Sequence, residues 1–252
     1  MTQKIALITG GSRGLGRSIA IHLAKNGVGI VLTYLNKSDA ADEVVAEIAA
    51  SGGKAVALQL DTSDTAGFAG FQTSLLQSLQ QTFGRTSFDY LVNNAGFGAH
   101  AAIAETTEAD FDALYAVHVK GPFFLTQTLL PMIEDGGHIL NLSSGLARFS
   151  LAGYGAYAMM KGAVEVFTRY LAQETGPRNI SVNTIAPGAI ETDFGGGAVR
   201  DNQDINGFVA SVTAKGRTGL PDDVGGAVAS LLTGGNSWIT AQRIEVSGGM
   251  NI

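Results

Sequence analysis

A doubly wound α/β domain built on a parallel sheet is the fold class that this sequence predicts, and two patterns carry the prediction. Seven short runs of aliphatic and β-branched residues recur along the 252 residues, and stretches of helical period stand between them. The runs are apolar throughout, not alternating, as expected of strands covered on both faces. Helix following strand this regularly requires parallel strands joined by right-handed crossovers. No linker-like, low-complexity or repeated segment breaks the pattern. One domain over 1–252 is therefore expected, a size that single-sheet α/β domains reach.

The first strand, "IALIT" (5–9), runs into "TGGSRGLG" (9–16) and a helical stretch over 14–26. Gly10, Gly14 and Gly16 punctuate this turn, so the backbone can pass close to a pyrophosphate at a helix N-terminus. Taken alone, the same turn suits a tight bend with no ligand. "GIVLTY" (29–34) leads to a helix over 39–51, and "AVALQL" (55–60) ends at Asp61. By position Asp61 suits a ligand contact or the N-cap of the helix over 64–83. "DYLVNN" (89–94) precedes a long helical pattern over 108–133, and "HILNLS" (138–143) precedes one over 156–175. "SVNTIA" (181–186) and "RIEVS" (243–247) complete the seven strands. Ligands of open sheets bind outside the carboxyl ends of the strands, where these motifs fall.

The stretch "YGAYAMMK" (154–161) places Tyr157 four residues before Lys161, on one helix face. A free phenol titrates near ~10 and is a poor base at neutrality; a neighbouring cation favours the phenolate. Such a tyrosine can pass a proton to or from a carbonyl oxygen. Ser144, thirteen residues before Tyr157, can stabilise charge on that oxygen. Tyr154, seven residues before Lys161, is the competing acid.

The glycine loop, "NNAG" at 93–96, the Ser-Tyr-x-x-x-Lys set and "PG" at 187–188 together resemble the short-chain dehydrogenase/reductase family, in order and over essentially the whole chain. The resemblance implies a Rossmann-type sheet and an oxidoreductase that reduces a ketone or aldehyde. It is nearest to beta-ketoacyl carrier-protein reductase-like and broad carbonyl reductase members. It makes Ser144, Tyr157 and Lys161 catalytic. Cofactor contacts carry over to Gly10, Ser12, Arg13, Gly14, Leu15 and Gly16 in the loop, and to Tyr34, Asn36 and Lys37 after the second strand. They carry over also to Asp61 and Thr62, to Asn93, Ala95 and Gly96, to Tyr157 and Lys161, and to Pro187, Gly188, Ile190 and Thr192. No acid stands at the Tyr34 position to bind a ribose hydroxyl, and Arg13 and Lys37 are cationic, so NADP(H) is expected in preference to NAD(H).

Enoyl reductases related to this family use the tyrosine at the Tyr154 spacing but usually lose the serine, the plain glycine loop and "NNAG"; this chain keeps all three, which selects Tyr157. His118 in "AVHVKG" stands where the family commonly has an asparagine that positions a relay water. Neutral imidazole also offers one donor and one acceptor. Residues 189–217, Gly-rich and weakly patterned, match the substrate lid. Phe97, Phe149, Leu151, Tyr154 and Phe194 are candidate pocket walls. An oxidative alcohol or sugar dehydrogenase, or a non-catalytic NADP(H)-binding sensor, are the competing functions.

Composition narrows the classes further. A net charge of -6 without a basic stripe argues against nucleic acid. The chain has no cysteine, and its four histidines lack metal-ligand spacing, which argues against a metal site. No apolar run approaches ~18 residues and the start lacks a signal-peptide pattern, so a cytoplasmic protein off the membrane is expected. Charged residues are 15% of the chain, against ~25% in an average soluble protein. So little charge leaves apolar surface to cover, and a homotetramer is expected, as in relatives of the family.

Overall fold

All seven apolar runs form strands in a computed structural model, which describes residues 3–252. They are β1 (Ile5–Ile8), β2 (Gly29–Tyr34), β3 (Ala55–Gln59), β4 (Phe88–Asn93), β5 (Ile133–Leu142), β6 (Ser181–Pro187) and β7 (Arg243–Val246). The sheet is parallel throughout, in the order β3-β2-β1-β4-β5-β6-β7. The order reverses between β1 and β4, which opens a crevice at the carboxyl ends of those strands. The helices are α1 (Gly14–Lys25), α2 (Ser38–Ala50), α3 (Phe68–Phe83), α4 (Glu108–Tyr115), α5 (Gly121–Leu129), α6 (Gly155–Thr175), α7 (Ala198–Asp201), α8 (Gln203–Ser211) and α9 (Pro221–Thr233).

Adjacent strand residues feed opposite layers, as the pleat requires. Ile8, Ile30 and Leu32 pack with Ile19, Leu23 and Val228 beneath α1 and α9. Leu7, Val31 and Ile139 pack with Phe68, Leu75 and Leu171 beneath α3 and α6. Both faces of the sheet are thus dry.

Three departures from the sequence expectation matter for the site. The stretch over 108–133 is not one helix: a turn of π-helix, Ala116–Lys120, separates α4 from α5, and a 3-10 turn, Leu130–Met132, leads directly into β5. Single π turns often sit at functional positions, and this one carries His118. The segment after β6 is not patternless, since α7 and α8 form within it and α9 follows. Asp61 does not cap the 64–83 helix. Asp64 caps the 3-10 turn Thr65–Gly67 that leads into α3, through its bond from Ala66 N; α3 itself starts without a side-chain cap, and Asp61 closes a turn on Ser63.

Two buried polar networks hold the carboxyl ends of the strands in register. Asn94 Nδ2 donates to the carbonyls of Thr9 and Gly10 at 2.8 and 3.1 Å, and Thr9 Oγ1 accepts from the Asn94 and Ala95 N–H groups at 3.0 Å. This ties the end of β4 to the glycine loop. Deeper in, Asn93 Nδ2 donates to Asn141 Oδ1 at 2.8 Å, and Asn141 Nδ2 donates to Thr168 Oγ1 at 2.9 Å. Thr184 Oγ1 donates to the same Thr168 oxygen at 2.9 Å. Buried polar groups of this kind are expensive to leave unpaired. Asn141→Leu strands donors on Asn93 and acceptors on Thr168, so it is expected to destabilise by about 1–3 kcal/mol. Thermal unfolding should show a Tm lower by about 2–12 °C.

Candidate active site

The glycine loop places backbone where a side chain would obstruct it. Gly16 packs so closely on Gly10 O and Asn94 that a Cβ there would collide with both. Gly14 has φ +55°, and its open face meets only Thr192, 3.7 Å from the position of a Cβ. α1 begins there with no acid in its first turn, so the N-terminal end of its dipole and the exposed Arg13 both favour an anion. Among the described residues, the Arg13 guanidinium makes only a long contact, 3.7 Å, with Asp193 from the segment after β6.

Around this loop, Tyr34 ends β2 and packs partly on the core, while Asn36 and Lys37 are exposed beside it. Asp61 and Thr62 follow β3, and Ala95 and Gly96 follow β4. Gly121 at the start of α5 lets that helix approach the Thr62 carbonyl. Pro187 ends β6; Gly188 packs on Ser247, and Ile190 pairs with Gly219. These residues, with Ser12 and Leu15 in the loop, line the carboxyl ends of the strands as a cradle, the place where open sheets hold their ligands. Sequence reasoning passed over Asn94, whose amide braces the loop from behind. Its signal lay within "NNAG" itself.

At the far end of the cradle stand the reacting candidates. Ser144 has an extended backbone and caps the short turn Gly145–Ala147, its Oγ accepting from Leu146 N at 3.2 Å. With that lone pair engaged, the hydroxyl proton is free to be donated. Tyr157 and Lys161 are both buried on one face of α6, with Nζ 5.5 Å from the centre of the tyrosine ring. Lys161 Nζ donates to the Leu142 carbonyl at 2.8 Å. Burial pushes the Lys161 amine down to about 7. Burial raises the Tyr157 phenol, the nearby Ser144 hydroxyl opposes that rise, and the Tyr154 phenol adds to it.

His118 packs edge-on against Tyr157, ring centres 5.4 Å apart. Its Nε2 lies 2.8 Å from the Phe97 carbonyl and 3.4 Å from the Phe97 N–H, and the shorter contact favours a proton on Nε2. Among the described residues, Nδ1 is buried without a hydrogen-bond partner. Burial, then the charge of Lys161, lowers this imidazole to about 3 against the pull of the Phe97 carbonyl, so it is neutral at physiological pH.

Of the pocket-wall candidates, Phe194 meets Tyr157 at 5.7 Å between ring centres and packs on Gly98, while Phe97 meets His118 at 5.6 Å. Tyr154 stacks edge-on with His100 at 5.0 Å. Phe149 sits behind the serine turn, on Gly145, and Leu151 is exposed on the loop that leads to α6. The segment over 189–217 is pinned at its base by Glu191, which accepts from Asn206 Nδ2 and Thr218 Oγ1.

The buried amine gives a stability test with a definite sign. Between pH ~7 and the unfolded lysine value of ~10.4, the unfolded chain binds a proton that the folded chain does not. Stability therefore rises with pH across that window. Lys161→Met removes this contribution. Urea unfolding should find the variant more stable than the parent at pH 7, with the gap narrowing toward pH 9.5.

A family described as "Enoyl-(Acyl carrier protein) reductase" matches residues 10–251. A curated relative, the hydroxynaphthalene reductase-like protein Arp2 of Metarhizium majus, is 35% identical over 98% of this chain and 94% of its own. Among solved structures, the promiscuous reductase LugOII, which catalyses keto-reduction at C1 in lugdunomycin biosynthesis, is 38% identical with a TM-score of 0.94; the match covers 100% of this chain and 99% of that one. The angucycline C-6 ketoreductase LanV with bound NADP is 35% identical with a TM-score of 0.94 over 99% and 96% of the two chains. The cradle, the serine, tyrosine and lysine gathered at its end, and these full-length likenesses lead to one conclusion: the chain belongs to the short-chain dehydrogenase/reductase family and is an NADP(H)-dependent oxidoreductase acting on carbonyl and alcohol groups.

Proposed function

We propose that the protein reduces the ketone of a fused-ring aromatic substrate to an alcohol, with Tyr157 as proton donor. The observation that carries this reading is the burial of Tyr157 and Lys161 side by side, with the Ser144 hydroxyl free to donate. NADPH, held along the glycine loop, supplies hydride to the carbonyl carbon. Tyr157 and Ser144 donate hydrogen bonds to the carbonyl oxygen, and Tyr157 gives up its proton as charge develops there. Lys161 has one N–H engaged by Leu142 and two left for the site; its charge favours the phenolate that remains. His118 Nδ1 accepts a hydrogen bond in the relay that returns a proton to Tyr157, taking the part that asparagine has in relatives. Arg13, with no acid at Tyr34, selects the 2′-phosphate of the cofactor.

Support for an aromatic substrate comes from the walls. Phe97 and Phe194 expose 39% and 45% of their surfaces beside Tyr157 and His118, and Tyr154 and His100 flank the approach. Faces of this kind suit planar rings. The relatives named for hydroxynaphthalene and angucycline reduction act on such molecules. The segment over 189–217 closes over the bound ring system.

Assembly as a homotetramer in a reducing, cytoplasmic setting completes the reading. Support for the assembly comes from Tyr115, Phe123 and Phe124 around α4 and α5, Met159, Val166 and Tyr170 on α6, and Trp238 before β7, all exposed. Support for the setting is the absence of cysteine.

Turnover of 1-tetralone and of an acyclic β-ketoacyl thioester, followed by NADPH oxidation, tests the reading. Tyr157→Phe should keep NADPH binding and lose ~10²–10⁴-fold in turnover. Tyr154→Phe should alter substrate affinity modestly and leave the chemical step intact. Tetralone should be the better substrate; a clear preference for the thioester would exclude the aromatic assignment and leave carbonyl reduction standing. A dead Tyr154→Phe beside an active Tyr157→Phe would exclude Tyr157 as the acid.

A further inference from the structure

Behind Ser144 runs a chain of charged side chains that the reduction scheme does not use. Glu165 stands one turn beyond Lys161 on α6, and its Oε1 accepts from Ser143 Oγ and from Arg243 Nε, each at 2.6 Å. Arg243, the first residue of β7, divides its remaining nitrogens between two partners. Nη2 donates to the Ser144 carbonyl at 3.0 Å, and Nη1 donates to Glu245 Oε1 at 2.7 Å. Glu245 also accepts from Arg148 Nε at 2.7 Å. Arg148 donates in turn to the carbonyls of Met250 and Asn251, at 2.9 and 3.0 Å.

This is not a set of surface ion pairs, which contribute little singly. The Arg243 and Glu165 side chains are only 22% and 15% exposed. The planar guanidinium fork lets one residue hold three groups at fixed angles, which an ammonium cannot do. Those groups belong to the helix of Tyr157 and Lys161, the serine loop and the last strand. Ser144 is thereby gripped through its own carbonyl by Arg243, through its Oγ by Leu146 N, and through Ser143 by Glu165. Only the Oγ–H bond vector is left to choose a partner.

We propose that Arg243, braced by Glu165, is a positioning residue that holds the Ser144 carbonyl and so aims the Ser144 hydroxyl at the substrate oxygen. The proposal rests on Ser144 being the oxygen-binding donor of the scheme above. Loss of such a donor costs ~10²–10³ in kcat, and a misplacement of ~1 Å can cost ~10²-fold.

The test is a double-mutant cycle in the full chain with Arg243→Met, Arg243→Lys, Ser144→Ala and the doubles. It reads kcat, KM, NADPH affinity by fluorescence titration, and Tm. Arg243→Met is expected to lower kcat ~10²-fold with NADPH affinity unchanged. Ser144→Ala/Arg243→Met should be no slower than Ser144→Ala, because the two act through one hydroxyl. Arg243→Lys keeps the charge opposite Glu165 but loses the fork, so it should recover kcat only in part. Should Arg243→Met fail to fold, Arg243→Lys against Ser144→Ala completes the same cycle. Parental kcat in the Arg243 variants, or losses that multiply in the double, would overturn the positioning role alone. A fully active Ser144→Ala would overturn the role of Ser144, and the positioning role with it.

Discussion

Lys161 is held in the dry interior against one fixed acceptor, the Leu142 carbonyl 2.8 Å from Nζ, and the site is arranged around that constraint. An amine out of water is costly unless it is paired. The end of β5 is therefore obliged to meet α6 at this point. Leu142 is followed at once by Ser143 and Ser144, and Tyr157 lies one helical turn before Lys161. This hydrogen bond, together with that from Ser143 Oγ to Glu165, ties the serine loop to the helix that carries the tyrosine. The Asn93–Asn141–Thr168 network, one layer deeper, keeps the same strand and helix from sliding past one another.

The parts legible in the sequence were those written in local pattern. All seven strands were visible because strands buried on both faces are uninterrupted aliphatic runs, and the Tyr157–Lys161 pair because helical spacing alone puts it on one face. The π turn was not legible: residues 116–120 keep a helical composition, and the wider turn shows only in which carbonyl each N–H reaches. Asp61 and Asp64 are both good capping residues, and only the path of the chain decides that Asp64 caps. The helices α7 and α8 were hidden by the glycines before them, although Asn202 is a conventional cap for α8. Arg243 and Glu165 were illegible for a different reason, since 78 residues separate two side chains that meet at 2.6 Å. Pairing at such separation is a product of topology, here of β7 lying next to β6.

The glycines carry more than turns. Read as a composition, 34 glycines suggest tight bends and close approaches of backbone to a ligand. Several instead give a ring somewhere to lie: a Cβ on Gly96 would come within 3.0 Å of the His118 imidazole, one on Gly98 within the same distance of the Phe194 ring, one on Gly145 of Phe149, and one on Gly153 of His100. Each of these four rings stands beside the serine loop, the tyrosine or the approach to them. Bulky aromatics and a small backbone are thus two halves of one arrangement, in which the ring is brought close because the chain opposite has no side chain. That arrangement sets ring position by packing, to which His118 adds its bond to the Phe97 carbonyl, and it leaves the outer faces of Phe97 and Phe194 uncovered. A methyl group at Gly96 would move His118, and His118 is what separates Phe97 from Tyr157. The shape of the apolar wall and the setting of the buried tyrosine are therefore coupled through glycines whose missing side chains leave room for the rings.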